Sequence, residues 1–566
     1  MKLKGSEIIC ESLLREGVDA IFGYPGGAIL PLYDALWGYT QLRHILVRHE
    51  QAAAHAADGY ARVTGKVGVC VSTSGPGATN LVTGIMSAKA DSIPMVILTG
   101  QVARASLGSE AFQECDICAI TASCTKKSYM VLSPQDLAPT IHDAFVTALE
   151  GRPGPVLIDI PRDVQLEEAE IEFPEVTEPA LSPVSPETLK EVQRAARLIN
   201  EAQRPVIISG HGILSSGASH EVKALAESTG IPVITTLLGL GGFPGNHPLS
   251  LGMLGMHGTY WANMAVDRAD LVIGLGMRFD DRVTGKASTF APHARIVHLD
   301  IEPSQIGRNV PVEVPLVGDA KAVLRALLPL VAYAERPEWM GFIDGERRHH
   351  SSLAVPNSDA LQPQQVLASL NELLQENPET VVVTGVGQHQ MWAAQSLFFN
   401  QSNTFVSSGG QGTMGFELPA ALGVQAGRPG SQVWSIAGDG GFQMTSQELA
   451  TATESKLPIK IALFNNGCLG MVRQWQELFF QNHIKATPLT GPDYVKLAQA
   501  YGVPAVRVNE QEDVLPALRQ AQAHDGPFLI EFVVDGSANV FPMVPPGGGL
   551  GDTMENPLLQ NGTGAA

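Results

Sequence analysis

Basic residues are scarce in this sequence. Its 37 Lys and Arg stand against 57 Asp and Glu, a formal net charge of −20. That imbalance argues against nucleic acid or an anionic membrane as the main partner. Long apolar runs are missing too. No stretch reaches the length of a membrane span, and the opening MKLKGSEIICESLLREG has the pattern of an amphipathic helix rather than a signal peptide. The six cysteines are scattered, as expected for a reduced, cytoplasmic setting. Cys115 and Cys118 form a lone CxxC without a second pair, which leaves a zinc site half its ligands short, so the thiols read as packing residues. Charged residues make up only 17% against 44% hydrophobic, a globular balance, and 566 residues allow about three domains.

What is present is a repeated alternation. DAIFGYPGG, ILVRHE, VGVCVSTSGPG, PMVILTGQ and GPVLIDIP are short apolar strands separated by helical patterns, closing near Asp163. The pattern returns in RPVIISGHG, IPVITTLLG, DLVIGLGMRFDD, RIVHLDIEP and PLVGD. It returns once more in TVVVTGVGQHQ, TFVSSGG, VWSIAGDG, PIKIALFNN and PFLIEFVVD. Such alternation predicts an α/β fold of three α/β domains with mainly parallel sheets. EEAEIEFPEVTEPALSPVSPE reads as a linker, and the charged, polar stretch near 335–360 as a second. The domains are therefore expected over 1–165, 187–335 and 360–540. The tail SANVFPMVPPGGGLGDTM has too much Pro and Gly for helix or strand. Its Val540, Phe541, Met543 and Val544 predict an arm over 541–566 that docks, rather than a disordered end.

The chemistry concentrates in GDGGFQMTSQELATATESKLPIKIALFNNGCLGMVRQW, which begins at Gly438. VWSIAGDG is a buried strand ending in Gly-Asp-Gly, and PIKIALFNN is a second, ending in paired asparagines. Neighbouring parallel strands would bring Asp439 and Asn466 to one carboxyl-end edge, where open α/β sheets bind ligands. A carboxylate and an amide oxygen are hard ligands, suited to Mg²⁺ rather than Zn²⁺, and Mg²⁺ usually bridges to phosphates. Gly438, Gly440 and Gly441 would let backbone amides approach a diphosphate closely. GDG alone is equally well an ordinary turn. GDG followed about 26 residues later by NN is far more specific, and it resembles the diphosphate-binding signature of thiamine-diphosphate enzymes.

Glu50, in VRHEQAAAHAADGYAR, stands where a strand gives way to a helix. A helix-start carboxylate is favoured by the macrodipole in any case. Beside a thiamine signature it gains a second reading, because thiamine diphosphate needs a carboxyl group on N1′ of its aminopyrimidine. Protonation there promotes the imino tautomer, whose 4′-nitrogen removes the C2 proton of the thiazolium. The cofactor must also be bent over an apolar prop, and SSGGQGTMGFELPAALG supplies Met414, with Gly412 and Met414 backbone groups for the pyrimidine.

At this point the resemblance covers nearly the whole chain. GYPGGA, RHEQAAAHAADGYAR, TSGPGATN, AFQE, GRPGPV, MRFDDRVTGK, GVGQHQMWAAQ, GDG…NN and GMVRQW together resemble the catalytic subunit of the acetohydroxyacid synthase (anabolic acetolactate synthase) family. The resemblance implies the thiamine-diphosphate-enzyme architecture: a pyrimidine-binding domain, a central FAD-binding domain and a diphosphate- and Mg²⁺-binding domain. It implies transfer of a hydroxyethyl unit from pyruvate to pyruvate or 2-oxobutanoate, giving 2-acetolactate or 2-aceto-2-hydroxybutanoate on the way to valine, leucine and isoleucine. It also implies a homodimer or larger oligomer, with active sites between the first domain of one subunit and the third of another. Feedback control would fall to a separate regulatory small subunit.

Position by position, Glu50 matches the N1′ glutamate, and Gly27 with Ala28 the small-residue backbone facing C2. Phe112 and Gln113 match residues near the reacting centre. Asp439, Asn466 and the carbonyl of Cys468 match the Mg²⁺ shell. Family members often carry His or Glu where this chain has Cys468, a harmless departure if the ligand is the main-chain oxygen. Met471 joins the cofactor contacts and Trp475 the acceptor pocket, although periodicity alone makes Trp475 an ordinary core residue.

SGHGIL and GLGMRFDDR are glycine clusters after strands, weak signals of a dinucleotide by themselves. The resemblance implies FAD contacts from Arg152, Gly210, Gly212, His257, Gly276, Arg278, Asp300 and Asp319. Asp281 and Arg282 are similar to the pair bordering the substrate channel, where an arginine can hold a 2-oxo acid carboxylate by paired hydrogen bonds. For Arg278 or Arg282 taken singly, a surface salt bridge explains as much. FAD would be structural, since carboligation transfers no net electrons.

The rivals are pyruvate oxidase, other thiamine decarboxylases, the FAD-free catabolic synthases, glyoxylate carboligase and a decayed scaffold that merely binds partners. RFDDRVTGK and GMVRQW disfavour the oxidase and the decarboxylases, and the RFDDR pattern disfavours the FAD-free catabolic synthases. Glu50 disfavours glyoxylate carboligase, and intact Glu50, Asp439 and Asn466 disfavour decay.

Overall fold

Apolar runs bounded by Gly and Pro become the central strands of three sheets in the computed structural model of the protein, which describes residues 1–176, 183–350, 353–355 and 358–557. A short strand β1 (Lys2–Lys4) leads into a helix over Gly5–Arg15 that buries Ile8, Ile9, Cys10 and Leu13. Six parallel strands follow: β2 (Ala20–Gly23), β3 (Arg43–Leu46), β4 (Gly68–Ser72), β5 (Met95–Gln101), β6 (Lys127–Met130) and β7 (Pro155–Pro161). Their spatial order is β3-β2-β4-β5-β7-β6. Strand β8 (Glu168–Glu170), inside the expected first linker, returns to pair antiparallel with β1, while residues 177–182 of that linker lie outside the described residues.

The second sheet holds β9 (Pro205–Ser209), β10 (Val233–Thr235), β11 (Ser250–Met253), β12 (Leu271–Leu275), β13 (Arg295–Asp300) and β14 (Val314–Val317), in the order β11-β10-β9-β12-β13-β14. The third holds β15 (Val381–Thr384), β16 (Phe405–Ser407), β17 (Val433–Gly438), β18 (Lys460–Asn465), β19 (Ala505–Val508) and β20 (Phe528–Val533), in the order β16-β15-β17-β18-β20-β19. Both are parallel throughout, and helices connect the strands, so the fold is the expected three-domain α/β arrangement.

Two stretches differ from their sequence reading. The polar region near 335–360 contains a helix, Pro337–His349, that drives Trp339 and Ile343 into the middle core. Those two apolar residues at i and i+4 are enough to anchor it despite the surrounding charge. The tail docks onto the body of the protein, as expected for its described part. Val540, Met543 and Val544 are buried, Val544 N–H donates to the Met256 carbonyl (2.8 Å) and Lys286 N–H to the Gly548 carbonyl (2.9 Å). The tail thus runs from the third sheet onto the middle domain, and residues 558–566 lie outside the described residues.

One helix pair fixes the first domain against the third. The helix Glu50–Thr64 starts with the His49 imidazole accepting from Gln51 N–H and ends at Gly65 with φ +72°. Its alanines Ala52, Ala53, Ala54, Ala56 and Ala57 are all buried. It crosses the helix Glu417–Gly427 so closely that a Cβ on Gly59 would stand 2.2 Å from the Ala420 carbonyl oxygen. Only small residues permit that approach.

Candidate active site

β17 and β18 lie side by side, with Gly438 opposite Phe464, so both strands end at one edge. Asp439 opens the next helix there, and Asn466 follows β18 directly. Asp439 is 3% exposed and its Oδ1 accepts from Gly440 N–H at 2.9 Å. Burial pushes its carboxyl up to about 6, against the lowering effect of the N–H groups of Gly440, Gly467 and Cys468. Asn466 donates from Nδ2 to Gln388 Oε1 (3.3 Å), and its Oδ1 accepts from Cys468 N–H (3.2 Å). Cys468 is held by a bridge to Pro488. A buried carboxylate without a counter-charge, an amide oxygen and a nearby carbonyl form a set of hard oxygens able to hold a divalent cation. The described residues contain no group of three His, Cys, Asp or Glu that could do so alone.

The glycines of this edge are dictated by space. A Cβ on Gly438 would lie 2.7 Å from the His389 ring, one on Gly440 2.7 Å from Leu469 Cδ2, and one on Gly441 2.8 Å from Glu417 Oε1. His389 is buried, its Nε2 has no hydrogen-bond partner among the described residues, and burial lowers its pKa to about 4. A neutral imidazole with an orphaned nitrogen therefore lines the same wall as Asp439. The sequence reading does not single out His389 or Gln388, although both stand in the QHQ segment just after β15, at the same carboxyl-end edge.

This edge is one wall of a cavity of about 1980 Å³ lined by all three domains. Ordinary small-molecule pockets occupy roughly 300–1,000 Å³, so there is room for more than one extended ligand. Gly412 (φ +63°) and Met414 lie on the wall, and Met414 Cε leans toward Gly440. Met471 and Trp475 contribute from the helix Gly470–Phe479. Trp475 is half-buried, edge-on to Phe479 at 5.5 Å, and the fully buried residue of that helix is Gln474. Periodicity alone thus misreads Trp475, because this helix turns its apolar side to the cavity.

The middle domain supplies the far wall through Gly212, His257, Gly276, Arg278, Asp281, Arg282, Asp300 and Asp319, and the first domain adds Arg152. Gly210 lies behind that wall: its N–H donates to the Leu275 carbonyl (2.9 Å), and a Cβ on it would strike the Gly276 oxygen at 2.3 Å. Burial lowers the Arg152 pKa, and the neighbouring charge of Arg278 lowers it further. Two guanidinium groups converging on one cavity suit an anionic ligand. Asp300 is raised by burial, and His257 is held neutral by burial, its pKa lowered to about 4. Asp319 Oδ1 is engaged in capping the helix Ala320–Leu327. Asp281 and Arg282 are exposed and only loosely paired at 3.9 Å.

Glu50, Gly27, Ala28, Phe112 and Gln113 are not on the cavity wall. They gather instead at the carboxyl end of the first sheet. Asn80 Nδ2 donates to Glu50 Oε2 (2.9 Å), a Cβ on Gly77 would lie 3.3 Å from Glu50 Oε1, and Ala28 N–H donates to Thr73 Oγ1 (3.2 Å). Gln113 (φ +61°) packs its Cα against Gly75. Phe112 beside it, a large apolar side chain, is 88% exposed. The expected site residues thus form two clusters on separate surfaces of the chain.

Fold and site define a thiamine-dependent enzyme, and the comparisons with known proteins agree. Three family models match: thiamine pyrophosphate enzyme, N-terminal TPP binding domain (residues 3–120), central domain (192–327) and C-terminal TPP binding domain (385–532). An acetolactate synthase large subunit of Corynebacterium glutamicum is 49% identical over 566 residues, covering 97% of this chain and 90% of the relative. An acetolactate synthase of Mycobacterium bovis is 48% identical over 560 residues, covering 96% and 90%. A large subunit from Parasynechococcus marenigrum is 46% identical over 557 residues, covering 96% and 90%. The chain belongs to the acetolactate synthase large-subunit family of thiamine pyrophosphate enzymes, and it is an enzyme of the transferase class.

Proposed function

We propose that this chain decarboxylates pyruvate and joins the remaining two-carbon unit to pyruvate or 2-oxobutanoate, giving 2-acetolactate or 2-aceto-2-hydroxybutanoate for valine, leucine and isoleucine synthesis in the cytoplasm. The observation that carries this reading is the meeting of Asp439, Asn466 and the orphaned His389 on one wall with Arg152 and Arg278 on another. Thiamine diphosphate, when bound, supplies the carbanion chemistry that the side chains lack. Asp439, Asn466 and the Cys468 carbonyl would hold the Mg²⁺ that accompanies it, and the glycines at 438, 440 and 441 keep Cβ atoms out of the way. Gly412 and Met414 seat the pyrimidine.

The central wall would hold FAD, and the neighbouring positive charges of Arg152 and Arg278 would suit its diphosphate. Glu50 holds a proton at the pyrimidine N1′ through Oε1, because Asn80 already occupies Oε2. Arg282, exposed on the wall, receives the 2-oxo acid carboxylate. Since Glu50 is off the cavity, a second copy of the chain must bring its first domain to this one's third, which also covers Phe112. The active form is a homodimer or larger, and a separate small subunit regulates it.

The test is purified protein with pyruvate, Mg²⁺ and thiamine diphosphate, with and without FAD. Acetolactate formation that depends on FAD supports the reading. Acetyl phosphate or peroxide as the product would replace it with the oxidase.

A further inference from the structure

Three residues at the end of one helix, Ala90, Asp91 and Ser92, line the cavity and bond both to Arg152 and to the turn at Gly409 and Gly410. The helix Val82–Asp91 ends at Ser92, which has φ +64°. Arg152, on the central wall, donates from Nε to Ser92 Oγ (2.7 Å) and from Nη2 to the Ala90 carbonyl (3.2 Å). Between those two contacts stands Asp91. Its Oδ1 accepts from Gly410 N–H (2.6 Å) and its Oδ2 from Gly409 N–H (3.0 Å), at the head of the turn that leads to Gly412 and Met414. One turn earlier on the same helix, Ser87 Oγ meets Ser408 Oγ (3.0 Å), which also accepts from Thr413 N–H (3.1 Å).

Asp91 is fixed from its other side. Arg62 donates from Nη2 to Asp91 Oδ2 (2.8 Å) and from Nε to Asp58 Oδ1 (2.5 Å), and all three side chains are at most 5% exposed. Burial opposes the Arg62 charge, yet the two carboxylates outweigh it and hold its pKa above the ordinary arginine value. Such a triad rewards one geometry and penalises any that strands a buried charge. Gly410 fits only as glycine, since a Cβ would meet Ala90 Cβ at 2.7 Å and Asp91 Oδ1 at 2.9 Å.

We propose that Asp91 is a positioning residue through which the flavin-facing Arg152 and the pyrimidine-facing Gly412–Met414 turn are energetically coupled. The inference rests on the cofactor assignment above and gives a flavin that transfers no electrons a task. An anion held by Arg152 steadies Ala90 and Ser92, Asp91 moves less, and the 408–414 backbone is presented in the shape the pyrimidine requires. Coupling between two binding sites is reciprocal, so each cofactor tightens the other by the same factor.

The experiment titrates thiamine diphosphate with Mg²⁺ into the full chain with and without saturating FAD, following tryptophan fluorescence, and titrates FAD in the converse order. In the wild type FAD should tighten thiamine diphosphate binding about 5–150-fold. In Asp91→Asn both cofactors should still bind and the factor should fall toward one. Ser92→Gly removes the Arg152 acceptor while favouring the same positive φ and leaving the buried Asp91 charge in place, so it is the second variant, and it should lower the factor too. A merely structural role would weaken both cofactors and leave the factor unchanged. Coupling of wild-type size in either folded variant, or none in the wild type, would overturn the inference alone. A wild type that binds thiamine diphosphate but no FAD would overturn the cofactor assignment and the inference together.

Discussion

Gly423 and Ala56 stand so close that a Cβ on Gly423 would lie 1.7 Å from the Ala56 carbonyl oxygen. The seam they form joins the helix that begins with Glu50 to the helix that follows Met414. It therefore sets the position of the Gly412–Met414 turn relative to Glu50 on the same chain.

Gly423→Ala should break that seam. The obstructing atom is backbone, so the helices must separate, at a cost of roughly 3 kcal/mol for an overpacked core. Better helix propensity returns only about 1 kcal/mol. Urea unfolding should show a net loss near 2 kcal/mol by the same reckoning. Gly430→Ala, where a Cβ would meet nothing within 4 Å, should leave the midpoint unchanged.

Glu417 gives the apoprotein a pH dependence of defined sign. Its carboxyl is wholly buried against Gly385 and Gly441, neither oxygen meets a well-placed donor among the described residues, and burial pushes its pKa up to about 7. The folded state thus binds a proton that the unfolded chain has already released. Its contribution is fully present below about pH 4.5 and is lost as pH rises through about 7. Burial raises Glu448 to about 7 and Asp439 to about 6, so they add to the same slope. Glu417→Gln should be more stable than wild type at pH 8, by up to roughly 3 kcal/mol, and similar to it at pH 4.5. A variant with the wild-type slope between those pH values would show that Glu417 is ionised in the fold.

Every strand read from the sequence is present, and the strands that were not read are informative. β6, β11 and β19 are each the outermost strand of their sheet, and β1 with β8 forms a two-stranded ribbon. KSYM, SLGM and AVRV are only partly buried, so they lack the unbroken apolar run that marks a buried parallel strand. The GDG and NN pair was legible because adjacent strands place their ends together. Asp91 was not, because its partners Gly409 and Gly410 are more than 300 residues away and no local pattern joins them. The separation of Glu50 from the cavity was legible only through family resemblance, for no single-chain pattern says which surfaces a second copy will complete.

Active sites shared between two copies, as proposed, would make two inactive variants complementary. Glu50→Gln should lose about 10²–10⁴-fold in rate, because an amide cannot deliver the proton at N1′. Asp439→Ala should lose Mg²⁺-dependent thiamine diphosphate binding. If each site takes Glu50 from one chain and Asp439 from the other, a mixed dimer holds one intact site and one doubly defective site. Random assortment makes half the dimers mixed, so co-expression should restore about a quarter of wild-type activity. A mixture as inactive as its parts, with mixed dimers shown by mass, would place both residues in one site of one chain.

Trp475 offers the finest test of substrate choice. Its indole lines the cavity from the helix Gly470–Phe479, braced edge-on by Phe479 at 5.5 Å with the ring planes 67° apart. That bracing makes it a rigid flat wall on the segment that also carries Cys468 toward the cation site. Pyruvate and 2-oxobutanoate differ by one methylene, and a hydrophobic wall separates such a pair by about 1–3 kcal/mol. Contact between the indole face and the extra methyl group supplies a preference of that order. Trp475→Leu should therefore leave acetolactate formation from pyruvate alone largely intact while lowering the product ratio in favour of 2-oxobutanoate about tenfold. The measurement is product partitioning with both oxo acids present together. A variant that folds normally and keeps the wild-type ratio would remove Trp475 from the acceptor pocket and leave it as the cavity's structural wall.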